Sequence, residues 1–238
     1  MNLIGFSTGA VAFGDFKRAL ALLANMPVNS VELSALRLPE LNPLIEDLDN
    51  LDLRQFRYVS FHAPSRFTSE QEPGIVAALQ RVAERGWPII LHPDAIIDRD
   101  CWKPLARSIC FENMDKRKPI GRTCHDLEQL FDRFPDARLC LDVGHAHQVD
   151  RTMTEARLMA QQFHDRIMQI HVSEVNTRSE HVHISAALEF AFAKIVDLLP
   201  DNAPLIIESV VPETQLSKEF ERARRMFTDN SRWALATD

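Results

Sequence analysis

Glycine is scarce in this chain, at seven of 238 residues. No G-x-G-x-x-G or G-x-x-x-x-G-K-[ST] follows any candidate strand, so the nucleotide-binding versions of an open parallel sheet lose support. No Gly- or Ser-rich linker and no low-complexity tract divides the sequence, which reads as one domain over residues 1–238. No apolar run approaches the roughly 18 residues that span a bilayer. The opening Met1–Phe6 has neither a basic start nor a cleavable apolar core, so the expectation is a soluble cytoplasmic protein with no membrane partner. Positive charge is also short. Lys and Arg total 27 against 34 Asp and Glu, a net charge of −7, which weighs against a nucleic-acid partner because such binders carry a basic face. Cys101, Cys110, Cys124 and Cys140 form no C-x-x-C pair and are expected to be reduced thiols, Cys110 and Cys140 buried in strands.

What is present is alternation. Eight short β-rich runs are expected at Leu3–Ser7, Ser30–Ser34, Tyr58–His62, Pro88–His92, Ser108–Glu112, Arg138–Asp142, Met168–Ser173 and Pro204–Ser209. Helical patterns lie between them at Asp15–Asn25, Gly74–Arg85, Cys124–Phe134, Thr154–His164 and Ser185–Leu199, with Glu213–Phe227 closing the chain. The segments after the second and fourth runs are broken by Pro39 and Pro43, and by Pro104. Strict strand–helix alternation implies the α/β class with a parallel sheet, and eight units fit a (β/α)8 TIM barrel near its lower size limit. A doubly wound open sheet is the alternative.

Residues two apart on a strand share a face. Phe111 opposes Cys110 and Glu112. Leu139 and Leu141 oppose Cys140 and Asp142, while Ile170 and Val172 oppose Gln169 and His171. Val59 and Phe61 oppose Ser60 and His62, and Leu205 and Ile207 oppose Ile206 and Glu208. In each strand one face is apolar and the other ends in a side chain that ionises or binds metal. Seven of the nine histidines lie at or just past strand ends: His62, His92, His145, His147, His171, His181 and His183. In a barrel these groups meet at the C-terminal rim, where barrel active sites are built. Buried carboxylates repel one another and lose solvation, and a divalent cation relieves both penalties. Mixed His and Asp/Glu donors suit zinc, manganese, iron or cobalt, and magnesium less well. For His147 a hydrogen-bonded rim position is the favoured reading. A purely structural zinc site is the non-enzymatic alternative, but it needs only four ligands, and this rim offers more.

The strings Ser60-Phe61-His62-Ala63-Pro64, Leu91-His92-Pro93, Phe111-Glu112-Asn113, Leu141-Asp142-Val143-Gly144-His145, Ile170-His171-Val172-Ser173-Glu174 and Ile206-Ile207-Glu208-Ser209 resemble the xylose-isomerase-like TIM-barrel superfamily. That superfamily holds sugar and sugar-phosphate isomerases and epimerases as well as endonuclease IV-type enzymes. The resemblance implies one to three divalent metal ions per chain (Mn, Zn, Fe, Co or Mg). Glu112, Asp142, His171 and Glu208 match the single-metal site of the isomerase members, in which the two glutamates also move the proton. His62 and His92 with Glu112 match a second site of the endonuclease IV type. His145 and His183 match a third, whose aspartate is replaced here by His181.

Three reaction classes follow from that resemblance. The first is isomerisation or epimerisation of a small sugar-like or phosphorylated substrate, with Glu112 and Glu208 as catalytic acid and base. The second is phosphoester hydrolysis at clustered metals. The third is oxidation at a multinuclear non-haem iron centre. Lys116, Arg117 and Arg122 follow the fifth strand, and Arg178 lies between His171 and His183. These residues, with His181, are expected at a small polar, anionic substrate, since arginine grips anionic oxygens bidentately. Arg66 is a weaker candidate of the same kind. Glu32 faces the side of Ser30 and Ser34, either as partner of a ligand histidine or as a core hydrogen-bonding group. Glu174 is out of phase with His171 and reads as loop structure or as support for a ligand. The apolar helix Ser185–Leu199 packs on the barrel or against a second copy of the chain in a homo-oligomer.

Overall fold

The computed structural model describes residues 3–228; the segment beyond Thr228, with Trp233, lies outside them. Eight parallel strands close into a barrel. In chain order they are β1 (Ile4–Ser7), β2 (Ser30–Ser34), β3 (Tyr58–His62), β4 (Ile89–Leu91), β5 (Ile109–Glu112), β6 (Arg138–Asp142), β7 (Ile167–Val172) and, after a two-stranded hairpin, β10 (Leu205–Ile207). β10 pairs with both β1 and β7, which closes the ring. The expected (β/α)8 TIM barrel is therefore the fold, and the open sheet is excluded. The hairpin, β8 (Glu174–Val175) and β9 (His181–Val182), is antiparallel and stands apart from the barrel sheet.

Alternation sorts the strand side chains as read. Phe61, Phe111, Leu139, Leu141, Ile170, Val172, Leu205 and Ile207 join the large core between strands and helices. Inside the barrel, Ile90, Cys110 and Cys140 pack as a separate small cluster. Ser30, Glu32, Ser60 and Gln169 are fully buried in the same interior. All four cysteines are free thiols.

The outer helices are α2 (Phe16–Leu23), α3 (Leu38–Asp47), α4 (Glu72–Ala83), α6 (Cys124–Arg133), α8 (Thr154–Gln162), α9 (Ala186–Ala193) and α10 (Leu216–Thr228). α3 forms despite two prolines. Pro39 lies in the first turn, where its missing N–H has no partner to lose, and the Arg37 N–H donates to Glu40 across the start. Pro43 sits inside the helix. After β4 the chain does break, into a 3-10 turn Pro93–Ala95, the short α5 (Arg99–Trp102) and a 3-10 turn Lys103–Leu105 around Pro104. α9 ends at Ala193, six residues earlier than its composition implies, and a 3-10 turn Val196–Leu198 follows. Its apolar residues Leu188, Ala191 and Phe192 are buried on the barrel, while Phe190 stays 54% exposed. No described helix is long and apolar enough to cross a membrane.

Three short elements were invisible to the periodicity: α1 (Thr8–Ala12), α7 (Val143–Val149) and the hairpin. Each is too short to show a period, and each lies at the C-terminal rim beside the site.

Candidate metal centre

Glu112, the last residue of β5, is the hub. Its Oε2 lies 3.2 Å from His62 Nε2 and 3.1 Å from His92 Nε2. Its Oε1 lies 3.1 Å from His145 Nδ1 and 3.6 Å from His171 Nδ1. Glu208, just past β10, stands 3.2 Å from His171 Nδ1 and 3.7 Å from His181 Nδ1. The donor atoms fall into three groups that can each hold a metal ion: His62, His92 and Glu112; Glu112, Asp142, His171 and Glu208; and Asp142, His145 and His181. Adjacent groups share Glu112 or Asp142.

The strand ends are locked before any ligand arrives. The Asn113 side chain donates to the Asp142 carbonyl at 2.9 Å and accepts from the Asp142 N–H at 2.7 Å, tying β5 to β6 at the level of the site. Asp142 also caps α7, its Oδ1 accepting the His145 N–H at 2.6 Å. One carboxylate oxygen thereby orients the backbone that carries His145, and the other is left for a ligand. Gly144 makes this turn sterically feasible, since a Cβ there would lie 2.2 Å from the Ser173 carbonyl oxygen.

The histidine tautomers follow from their partners. His62 Nδ1 lies 2.8 Å from the Ala63 carbonyl, which can only accept, so Nδ1 carries a proton; Nε2 faces Glu112 at 3.2 Å, and the carboxylate there raises the imidazole, leaving Nε2 as the atom a cation would take. His171 Nε2 lies 2.8 Å from Glu32 Oε2, and Gln169 donates to the same oxygen at 2.7 Å while accepting from the Tyr58 hydroxyl at 2.7 Å. The Glu32 carboxylate holds the proton on Nε2 of His171 and leaves Nδ1 as the donor atom. Both readings the sequence left open for Glu32 hold: it partners a candidate ligand histidine and accepts hydrogen bonds from Gln169 and Ser60 in the barrel interior.

Burial and close contact make the carboxylates and imidazoles of the site shift one another's ionisation, and, although burial opposes it, His62, His145 and His171 are all raised by the carboxylates around them. Burial and the neighbouring carboxylates Glu112 and Glu208 push the Asp142 carboxyl up to about 8, against the pull of His145 and His171. Burial opposes charge on His145, yet Asp142 and Glu112 outweigh it and raise the imidazole to about 10. Burial likewise opposes ionisation of Glu208, but His171 and His181 hold it down at about 2. Glu112 lies well below the usual carboxylate range because His92, His145, His171 and His62 overcome its burial. His92 and His181 are lowered, chiefly by burial.

Asp142 Oδ2, His171 Nδ1 and His92 Nδ1 are buried without a hydrogen-bond partner. Buried polar atoms are normally satisfied. Two of these three belong to the four-residue group, and a cation there would take both lone pairs. The mixed imidazole and carboxylate donors fit zinc, manganese, iron or cobalt.

Of the residues expected at a metal, Glu112, Asp142, His171, Glu208, His62, His92 and His145 are brought together. His183 is not. It lies past the end of β9, exposed, and belongs to none of the groups among the described residues. His181, expected at the substrate, takes that place beside His145, because β9 begins with it and turns it inward from the hairpin. His147 is buried against Glu174, with Nδ1 to Oε1 at 3.5 Å, and is not in a group. Glu174 also accepts from the Ser185 hydroxyl at 2.5 Å.

A cavity of about 280 Å³ opens above the centre. His62, His92, Glu112, His145, His181 and Glu208 reach it from below. Phe13, Leu36 and Val210 give it an apolar side, and Arg66, Arg117 and Lys118 a basic one. Two of these cations are already matched: Arg117 by Asp115 at 3.0 Å and Lys118 by Asp94 at 2.8 Å. Lys116, Arg122 and Arg178 do not line the cavity. Lys116 is exposed, the Arg122 N–H donates to Asp126, and Arg178 pairs with Glu180 at 3.0 Å on the surface.

Residues 99–229 match the family model of the xylose isomerase-like TIM barrel. No curated protein matches the chain by sequence. Among solved structures, it superposes on a xylose isomerase domain protein from Alicyclobacillus acidocaldarius with a TM-score of 0.71, at 12% identity over 97% of this chain and 100% of that one. The 3-keto-D-glucoside 4-epimerase YcjR from E. coli gives 0.64, at 12% identity over 96% and 100%. The IolI protein, solved with a zinc atom bound, gives 0.63, at 14% identity over 97% and 98%. At these identities the likeness speaks for the fold alone.

Proposed function

Because the chain belongs to the xylose isomerase-like TIM-barrel family, we propose that it is a divalent-metal-dependent isomerase or epimerase acting on a small sugar-like substrate, neutral or phosphorylated. The observation that carries this reading is the group Glu112, Asp142, His171 and Glu208, of which Glu112 and Glu208 line a cavity of about 280 Å³. That volume lies at the lower edge of small-molecule pockets and holds a compact polyol. The structural likeness to an epimerase and to a zinc-bound barrel agrees with it.

When bound, a divalent cation would polarise a carbonyl and its neighbouring hydroxyl, making the intervening C–H acidic. Glu112, Asp142, His171 and Glu208 would hold it. Glu208, ionised and reaching the cavity, takes the α-proton, and Glu112 delivers or receives the proton on the other side. His62, His92 and His181, which line the cavity, orient substrate hydroxyls. Phe13 and Val210 give the sugar's apolar face a surface to lie against. Arg66, the lining cation without a carboxylate partner among the hydrogen bonds and ion pairs described, meets an anionic substituent.

The sharing of Glu112 and Asp142 between groups favours a second reading, a multinuclear centre for phosphoester hydrolysis, since clustered metals activate water and stabilise a leaving oxygen. Pairing of the Arg117 and Lys118 charges leaves Arg66 as the cavity-lining cation without a carboxylate partner among the described contacts, so this rim offers few contacts to a nucleic-acid backbone. The deciding experiment incubates metal-loaded protein with small ketoses, aldoses and their phosphates in D2O. Loss of an α-proton signal by NMR, abolished in Glu208→Gln, is the expected result. No exchange on any substrate, together with hydrolysis of a simple aryl phosphodiester, would replace this reading by the second.

A further inference from the structure

The basic run after β5 has a use the cavity does not reveal. Arg117 reaches across the rim to the turn of the hairpin that carries His181. Its Nη1 donates to the Arg178 carbonyl at 2.9 Å and its Nη2 to the Ser179 carbonyl at 3.1 Å. Its Nε donates to Asp115 at 3.0 Å. Asp115 is 3% exposed. Its carboxyl is held at about 2, because the Arg117 hydrogen bonds outweigh burial. The guanidinium is therefore fixed from behind while its far edge grips two successive carbonyls. This needs the planar fork of arginine; a lysine ammonium is a single point charge.

The turn it grips is strained and short. Ser179 adopts a left-handed φ of 57°, unusual for a residue with a Cβ. Within the turn, the Ser179 N–H donates to the Asn176 carbonyl at 2.9 Å and the Asn176 N–H to the Glu180 carbonyl at 3.0 Å. The hairpin ladder itself is only two residue pairs, Glu174 with Val182 and Val175 with His181, and so short a ribbon is marginal alone. Gln148 of α7 adds a second tie, donating to the Asn176 carbonyl at 2.7 Å. One residue past the gripped carbonyls and Glu180, His181 meets Ser173 Oγ at 2.6 Å and joins Asp142 and His145.

We propose that Arg117, seated on Asp115, is the positioning residue for the third cation position: it pins the hairpin turn over the barrel mouth and so sets His181 against Asp142 and His145. This rests on the reading of the rim as a metal centre. The other two groups contain no hairpin residue, so the pin holds none of their donors directly.

The test is a zinc titration with a competing chromophoric chelator, on wild type, Arg117→Ala, Arg117→Lys, His181→Ala and Arg178→Ala. Arg117→Ala weakens the most weakly held zinc by about tenfold or more, the range seen when a residue supporting a metal ligand is lost, and leaves tighter zinc unchanged. His181→Ala loses the same zinc. Arg117→Lys restores part of the affinity, whereas Arg178→Ala, which keeps the gripped carbonyl, matches wild type. A lower melting temperature with wild-type zinc binding in Arg117→Ala would mark a merely structural residue and overturn the inference alone. A wild-type protein that takes up no zinc overturns the metal reading and this inference together. Should Arg117→Ala not fold, Arg117→Lys decides: zinc binding identical to wild type would show that the fork is not needed.

Discussion

Glu32 Oε2 sits 2.8 Å from His171 Nε2, although the residues are 139 positions apart and their strands are not neighbours in the barrel. The contact crosses the barrel interior, where both side chains are fully buried. It fixes which imidazole nitrogen faces Glu112 and Glu208, and it does so from beneath the site, out of reach of substrate.

Replacing Glu32 by Gln keeps the shape and removes the charge. The amide can then donate to Nε2 and drive the proton to Nδ1, the atom a cation needs. Metal affinity is expected to fall about 10- to 100-fold with the fold intact. Isothermal titration with zinc or manganese checks this, alongside circular dichroism. Unchanged affinity in a folded variant would remove Glu32 from the metal's support.

Asp142 and His92 are expected to contribute unequally to metal binding. Asp142 belongs to two of the three groups and caps α7, whereas His92 belongs to one. Elemental analysis of purified Asp142→Ala should show a larger loss of metal per chain than His92→Ala. Its metal-free form should also lose about 1 kcal/mol of stability with the cap. Equal metal content in the two variants would contradict the shared-ligand arrangement.

Acidity gives an independent handle. Without metal, and against burial, Asp142 and Glu112 push the His145 imidazole up to about 10 from an ordinary 6.5. Its protonated form stabilises the fold fully below about pH 6.5, and that contribution fades as the pH rises through 10. Asp142, raised from 3.8 to about 8, acts in the same direction, because its ionisation removes stability as the pH climbs between those values. A bound cation displaces both protons, so its affinity grows with pH. The melting-temperature gap between metal-loaded and chelated protein should widen from about pH 6.5 to about pH 9. A constant or narrowing gap would show that these two groups do not face the cation.

The barrel was legible from the chain because strand alternation is a local property. Phe111 against Cys110 and Glu112, or Leu141 against Cys140 and Asp142, declares its two faces within three residues. All eight barrel strands fall where that pattern put them, to within one or two residues at their ends. The candidate ligands Glu112, Asp142, His171 and Glu208 were legible for the same reason, since each ends an inward-facing row. The short rim elements were not. α7 and the hairpin have no period to read, so the choice of His181 over His183 depended on where β9 begins, two residues from an exposed end.

By itself, then, the sequence determined the barrel, the inward rows and the kinds of donor at the rim, since these follow from period-2 patterning and residue chemistry. Tertiary structure decided the pairings: Glu32 with His171 across the interior, Arg117 with the carbonyls of Arg178 and Ser179 rather than free at the cavity, and Lys118 with Asp94. Such pairings join residues from about 24 to 139 positions apart. They are set by how the closed ring and its loops meet in space, which no local pattern encodes.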